Sequence, residues 1–145
     1  MRPPSIVYEI SKLKGVVDFV SVGTNDLSQY LFASDRMNPN LGAMLNPWQP
    51  ALIASLNQIA IESKKAGIYS GVCGESGSDP AFAVVLAGMG YDSVSSSRSQ
   101  VGAVRAALSS VTHDEAREVF EAAISGHDSD EAKSLALTKL GEIAK

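Results

Sequence analysis

Two short runs in this chain carry groups that can do chemistry, Gly23-Thr24-Asn25-Asp26 and Cys73-Gly74-Glu75. Asn25 offers an amide that can donate to a phosphate or carboxylate oxygen. Asp26 offers a carboxylate that can hold a hard cation such as Mg²⁺. Thr24 adds a hydroxyl beside them. The same residue types also turn chains and cap helices, so a purely local role for Asn25 and Asp26 stands equally open. Cys73 brings a thiol. An unperturbed thiol has a pKa of about 8.5 and is mostly protonated at neutral pH, which suits a general acid that gives a proton to a carbanion-like carbon. Free cysteine is commonly a buried structural residue. The position of Cys73 at the end of an apolar run, between Gly71 and Gly74, favours the chemical reading. Arg36 carries a guanidinium fork that matches phosphate or carboxylate oxygens, or that simply pairs with Asp35 at the surface. Glu75 either orients a hydroxyl or amide nearby or faces solvent.

These residues need elements to position them. Pro4 to Lys14 places Ile6, Val7, Ile10 and Leu13 on one helical face, with Gly15 as the stop. Val16 to Val22 is an apolar run that reads as a buried strand, and Leu27 to Ala33 as a short helix. The connection from Leu27 to Pro50 is long and proline-rich, and such a connection after a strand is more often functional than not. Trp48 to Ala66 is a helix with Leu52, Ile53, Leu56, Ile59 and Ala60 as its apolar face and Gly67 as C-cap. Ile68 to Cys73 is the second strand. Asp79-Pro80 opens a helix through about Ala87, and Tyr91 to Ser95 is a third strand. Ser99 or a neighbour caps a helix that buries Val101, Val104, Ala107, Leu108 and Val111. Thr112 with Glu115 forms a capping box for a helix to about Ser125. A last helix runs from Asp130 to Ala144, with Leu135, Leu140 and Ile143 apolar.

Alternating strands and helices imply an α/β fold with a parallel sheet and right-handed crossovers. Both chemical runs then fall at C-terminal strand ends, the edge where such sheets place ligands. With 145 residues, 45% of them hydrophobic, the chain can build one domain with a real core. A net charge of −4 and no basic patch argue against a nucleic-acid surface. No apolar stretch reaches the length of a membrane span and no signal segment starts the chain; with a single cysteine, a cytoplasmic location is expected.

The run GTNDLSQY, followed by Asp35-Arg36 and by Val72-Cys73-Gly74-Glu75, resembles the phosphoenolpyruvate-utilising enzymes, most of all the C-terminal part of Enzyme I of the bacterial sugar phosphotransferase system. The resemblance covers about Pro4 to Leu108. It implies the last part of a TIM (β/α)₈ barrel, with three of its parallel strands and extra C-terminal helices. The upstream half-barrel and a phosphohistidine domain would lie outside this chain. By the same resemblance Asn25, Asp26 and Arg36 contact phosphoenolpyruvate, and Asp26 holds Mg²⁺. Cys73 protonates the enolate of pyruvate after phosphoryl transfer to a histidine. Thr24 and Glu75 support these residues. A histidine-phosphocarrier protein, reached through the missing domain, and a homodimer are the implied partners.

Two departures qualify this. The family carries a Glu two residues before the Pro-Ser pair that shares the metal with the Asp of GTND; here Pro4-Ser5 follows Arg2. Neither His113 nor His127 stands in a phosphoacceptor context. The chain alone is therefore expected to bind Mg²⁺ poorly and to lack turnover. Pyruvate phosphate dikinase, phosphoenolpyruvate synthase and a catalytically inactive dimerisation module are the competing readings. A sheet cut from a barrel leaves an edge at Val16 to Val22. Val17, Phe19, Val20, Val22, Ile68 and Val72 are too apolar to face water on both sides, so self-association is expected.

Overall fold

The computed structural model describes residues 4–35, 37 and 39–144. Arg2 and Arg36 lie outside the described residues. Among those described, three strands form one parallel sheet in the order β1 (Phe19–Gly23), β2 (Tyr69–Cys73), β3 (Ser93–Val94). Six α-helices accompany them: α1 (Thr24–Leu31), α2 (Pro50–Ala66), α3 (Pro80–Met89), α4 (Val101–Ser109), α5 (His113–Ile124) and α6 (Ser129–Ile143).

The first expected helix is instead two 3₁₀ turns, Pro4–Tyr8 and Ile10–Leu13. Val7, Ile10 and Leu13 recur every three residues, which suits three residues per turn better than 3.6. Val7 and Ile10 are buried and Leu13 packs on the core, so the apolar face is there with a tighter helix behind it. The first strand starts later than expected. The Val16 and Val17 amides both donate to the Leu13 carbonyl, which holds these residues in a turn and leaves Val16 exposed. Helix α1 starts at Thr24, directly after Gly23, three residues before the expected Leu27.

Local stop and start signals hold for the larger helices. Pro50 sits in the first turn of α2 and Gly67 closes it at φ 70°. Trp48 is therefore not helical but buried, its ring edge-on to Phe82 at 5.0 Å. Asp79 caps α3 and Gly90 closes it, two residues later than expected. The Thr112–Glu115 capping box of α5 is complete in both directions. Helix α6 is capped by Asp128, so it starts one residue before Asp130. The N-cap of α4 is Gln100, the neighbour of Ser99, without a side-chain bond; of its expected face Val104 is buried and Ala107, Leu108 and Val111 pack on the core, but Val101 is exposed.

The sheet has two unlike faces. Val20, Val22 and Val72 are buried against the helices. The opposite face carries the register pairs Phe19–Tyr69, Ser21–Gly71 and Gly23–Cys73, with Ser93 beside Gly71. Phe19 and Tyr69 are its exposed aromatics. The apolar argument for self-association is thus narrower than the sequence implies, because Val20, Val22 and Val72 turn inward and the middle of the open face is small and polar.

Candidate functional site

The site begins where two strands end. Gly23 and Cys73 are the last register pair of the β1–β2 ladder, so both chemical runs leave the sheet at one edge. Because α1 begins at once, Thr24, Asn25 and Asp26 occupy its first turn. Its N-cap is Gly23, without a side-chain cap bond, so neither Asn25 nor Asp26 caps the helix. Asp26 still puts negative charge at the helix N-terminus, where the macrodipole favours it.

Gly74 follows Cys73 with φ 127° and ψ 179°, a conformation that L side chains avoid. A Cβ there would lie 2.5 Å from Thr24 Oγ1 and 3.3 Å from Asn25 Oδ1. The backbone of the second run is thus pressed directly onto the first. Below this contact, Thr24 and Ser76 are both buried, with hydroxyl oxygens 2.6 Å apart. Thr24 Oγ1 also donates to the Cys73 carbonyl at 3.4 Å.

A cavity of about 470 Å³ opens at this corner. Thr24, Asn25, Glu75 and Ser76 line one side, and Leu45 and Pro47 of the long connection line another. Asp79 also lines it, but its carboxylate is engaged: Oδ1 accepts from the Ala81 and Phe82 amides at 3.0 and 3.3 Å, and Oδ2 accepts from Trp48 Nε1 at 3.2 Å. Buried Ser28 lines it too, and its hydroxyl has no partner. No described Lys, Arg or His lines this cavity.

The structure therefore brings Thr24, Asn25 and Glu75 onto one cavity, with Glu75 exposed, and places half-buried Cys73 at the adjoining strand end rather than in the cavity lining. It does not bring Asp26 into the same cavity. Successive residues of a helix point about 100° apart, and Asp26 lines a separate depression with Tyr30 and Asp35. Arg36 lies outside the described residues. Among the described residues, no three His, Cys, Asp or Glu side chains converge as a metal site. His113 and His127 are exposed, the first at the start of α5 and the second in the bend between α5 and α6. Sequence reasoning missed Ser76, Ser28 and Asp79 as residues of this corner. Ser76 and Ser28 carry no sequence signal for it, since one serine looks like another until the chain folds. Asp79 was legible only as a cap.

The chain matches the family described as PEP-utilising enzyme, PEP-binding domain, over residues 2–113. It is 34% identical over 132 residues to multiphosphoryl transfer protein 1 of Escherichia coli (strain K12), covering 91% of this chain and 16% of that protein. It is 37% identical over 133 residues to the phosphoenolpyruvate-protein phosphotransferase of Streptomyces coelicolor, covering 92% of this chain and 24% of that protein. With the protein of that same name from Latilactobacillus sakei it shares 37% identity over 115 residues, 79% of this chain and 20% of the relative. The chain thus spans a quarter or less of the length of these curated relatives. No helix among the described residues is long and apolar enough to cross a membrane.

Proposed function

The chain belongs to the PEP-utilising enzymes, and from that membership we propose that it is the C-terminal portion of the phosphoenolpyruvate-binding barrel of a phosphoenolpyruvate-protein phosphotransferase. The observation that supports the reading is the Gly23–Cys73 register pair, by which the runs that carry Asn25 and Cys73 leave the sheet at one edge. In the proposed reaction the phosphate ester bond of phosphoenolpyruvate breaks and its phosphoryl group passes to a histidine nitrogen of another domain. The oxygen left behind forms an enolate. Its electron pair closes to the ketone carbonyl as C3 takes the proton from Cys73, leaving pyruvate and a thiolate. Asn25 and Arg36 would hold substrate oxygens, and positioning of this kind is most of what phosphoryl transfer requires from the protein.

Mg²⁺ would sit on Asp26, but the described residues do not build a site for it. Mg²⁺ demands near-octahedral oxygen ligation, usually one or two carboxylates plus substrate phosphate and water. Asp26 offers one carboxylate, turned away from the cavity that Asn25 lines. No step here is routed through the metal. The histidine-phosphocarrier protein, a homodimer and a cytoplasmic location belong to the same proposal. A dikinase or synthase portion is the second reading.

The test is titration of isotope-labelled chain with phosphoenolpyruvate, followed by amide spectra and calorimetry, with and without Mg²⁺. The expected result is weak, millimolar-range binding, with shifts centred on the Asn25 side chain and the Cys73 and Gly74 amides and little gain from Mg²⁺. Shifts confined to another surface, or none at all, overturn the reading.

A further inference from the structure

We propose that Thr24 and Ser76 are positioning residues: together they hold the Cys73 corner in register with the first turn of α1. The proposal deepens the reading of Cys73 as proton donor and rests on it for its functional meaning. Thr24 and Ser76 are 2% and 5% exposed, and their hydroxyl oxygens are 2.6 Å apart. A hydroxyl has one hydrogen and two acceptor lone pairs. Either oxygen can be the donor in this pair; Thr24 Oγ1 also lies 3.4 Å from the Cys73 carbonyl, and it serves both partners when Ser76 is the one that donates to it. In that arrangement the two hydroxyls form a chain from Ser76 through Thr24 to the peptide that joins Cys73 and Gly74. Both hydroxyls are buried, so breaking the bond between them leaves an unpaired polar atom.

Three parts of the second run meet at this one threonine: the Cys73 carbonyl, the Gly74 Cα and the Ser76 hydroxyl. Asn25 is the next residue on the helix, and its Oδ1 borders Gly74 as well. The backbone at Cys73 and the first turn that carries Asn25 are therefore tied together while the hydroxyl pair is intact. Misplacement by about an ångström is enough to cost a transfer step heavily. None of this follows from the fold alone, since a parallel β1–β2 ladder would align the strands whatever residues followed them.

The chain has a single cysteine, so alkylation by iodoacetamide, read by mass, reports on one thiol. Its rate is measured across pH for Thr24→Val, Thr24→Ser and Ser76→Ala, with denaturation curves to confirm folding. The expected result is a several-fold change in plateau rate and a displaced pH midpoint for Thr24→Val and Ser76→Ala. Thr24→Ser, which keeps the hydroxyl, returns both to the parent values. Folded variants with the parent rate and midpoint overturn the proposal, as does a Thr24→Ser variant that behaves like Thr24→Val, because the methyl would then be the active part. If Thr24→Val fails to fold, Ser76→Ala decides by the same criteria. The measurement uses no substrate, so a failure of the proton-donor reading shows separately, as absent phosphoenolpyruvate shifts at Cys73.

Discussion

Trp48 Nε1 donates to Asp79 Oδ2 at 3.2 Å, joining the long connection after α1 to the cap of α3. The other oxygen of the same carboxylate accepts from the first amides of α3. One side chain thus anchors a wall of the cavity and starts a core helix. Asp79→Ala removes both, at an expected cost of about 2–4 kcal/mol for a lost cap plus an orphaned indole donor. Trp48 is the single tryptophan, so its emission in a urea titration reports both events. Asp79→Asn, which keeps an acceptor oxygen, should lose less; equal losses would show that charge rather than geometry matters.

Gly74→Ala tests how tightly the two chemical runs are pressed together. The new methyl would need φ 127° and would meet Thr24 Oγ1 at 2.5 Å. Strained backbone of this kind costs about 1–3 kcal/mol before any clash is counted. An unchanged denaturation midpoint would mean that the corner relaxes freely.

Acid should weaken the attachment of α5. The Glu115 carboxyl is held below its ordinary value of 4.5 by the Thr112 amide and then by the Thr112 hydroxyl, both hydrogen-bonding to it. A carboxyl lowered in the folded state contributes stability that is complete above the unfolded value and is lost as pH falls through the folded one. Glu115→Gln can keep the capping-box geometry without a titrating group. The expected outcome is a shallower loss of thermal stability below the ordinary value for the variant than for the parent. Parallel pH profiles would remove Glu115 from the account.

Alkali should act through Tyr91. Its phenol is buried, donates to the Leu56 carbonyl at 2.9 Å, and is pushed well above the usual tyrosine range by loss of solvent. A group whose folded pKa is raised stabilises fully below the unfolded value, about 10, and loses that contribution as pH rises past it. Tyr91→Phe should be less stable at neutral pH by about 0.5–1.5 kcal/mol, for the lost hydrogen bond, and should show less decline above pH ~10. Identical alkaline profiles would contradict the assignment.

Self-association is expected through the open sheet face or the β1 edge, with Phe19 and Tyr69 as the apolar contacts. Light scattering after size exclusion checks it. Phe19→Ser should shift the population toward monomer, whereas a 15.2 kDa monomer of the parent chain at high micromolar concentration would show that the chain needs no second copy.

What the sequence settled by itself is what neighbours in the chain settle between them. The Gly67 stop of α2, the Asp79-Pro80 start of α3 and the Thr112–Glu115 box of α5 each act within a few residues, through dihedral preference or a local hydrogen bond. The alternation of elements likewise implied a parallel sheet, and hence one edge for both chemical runs. The rest depended on contacts between distant residues. Spacing could not decide between a 3.6 and a 3.0 period over Pro4 to Leu13, nor that Val101 would face out, because the neighbouring element decides which side is covered. The first turn of α1 divides Asn25 from Asp26 because the helix starts directly at Thr24 rather than after a polar loop. The Thr24–Ser76 bridge joins positions 52 residues apart. A hydroxyl pair of that kind exists only once β1 and β2 lie side by side and Gly74 lets the two backbones touch, and no local pattern encodes that approach.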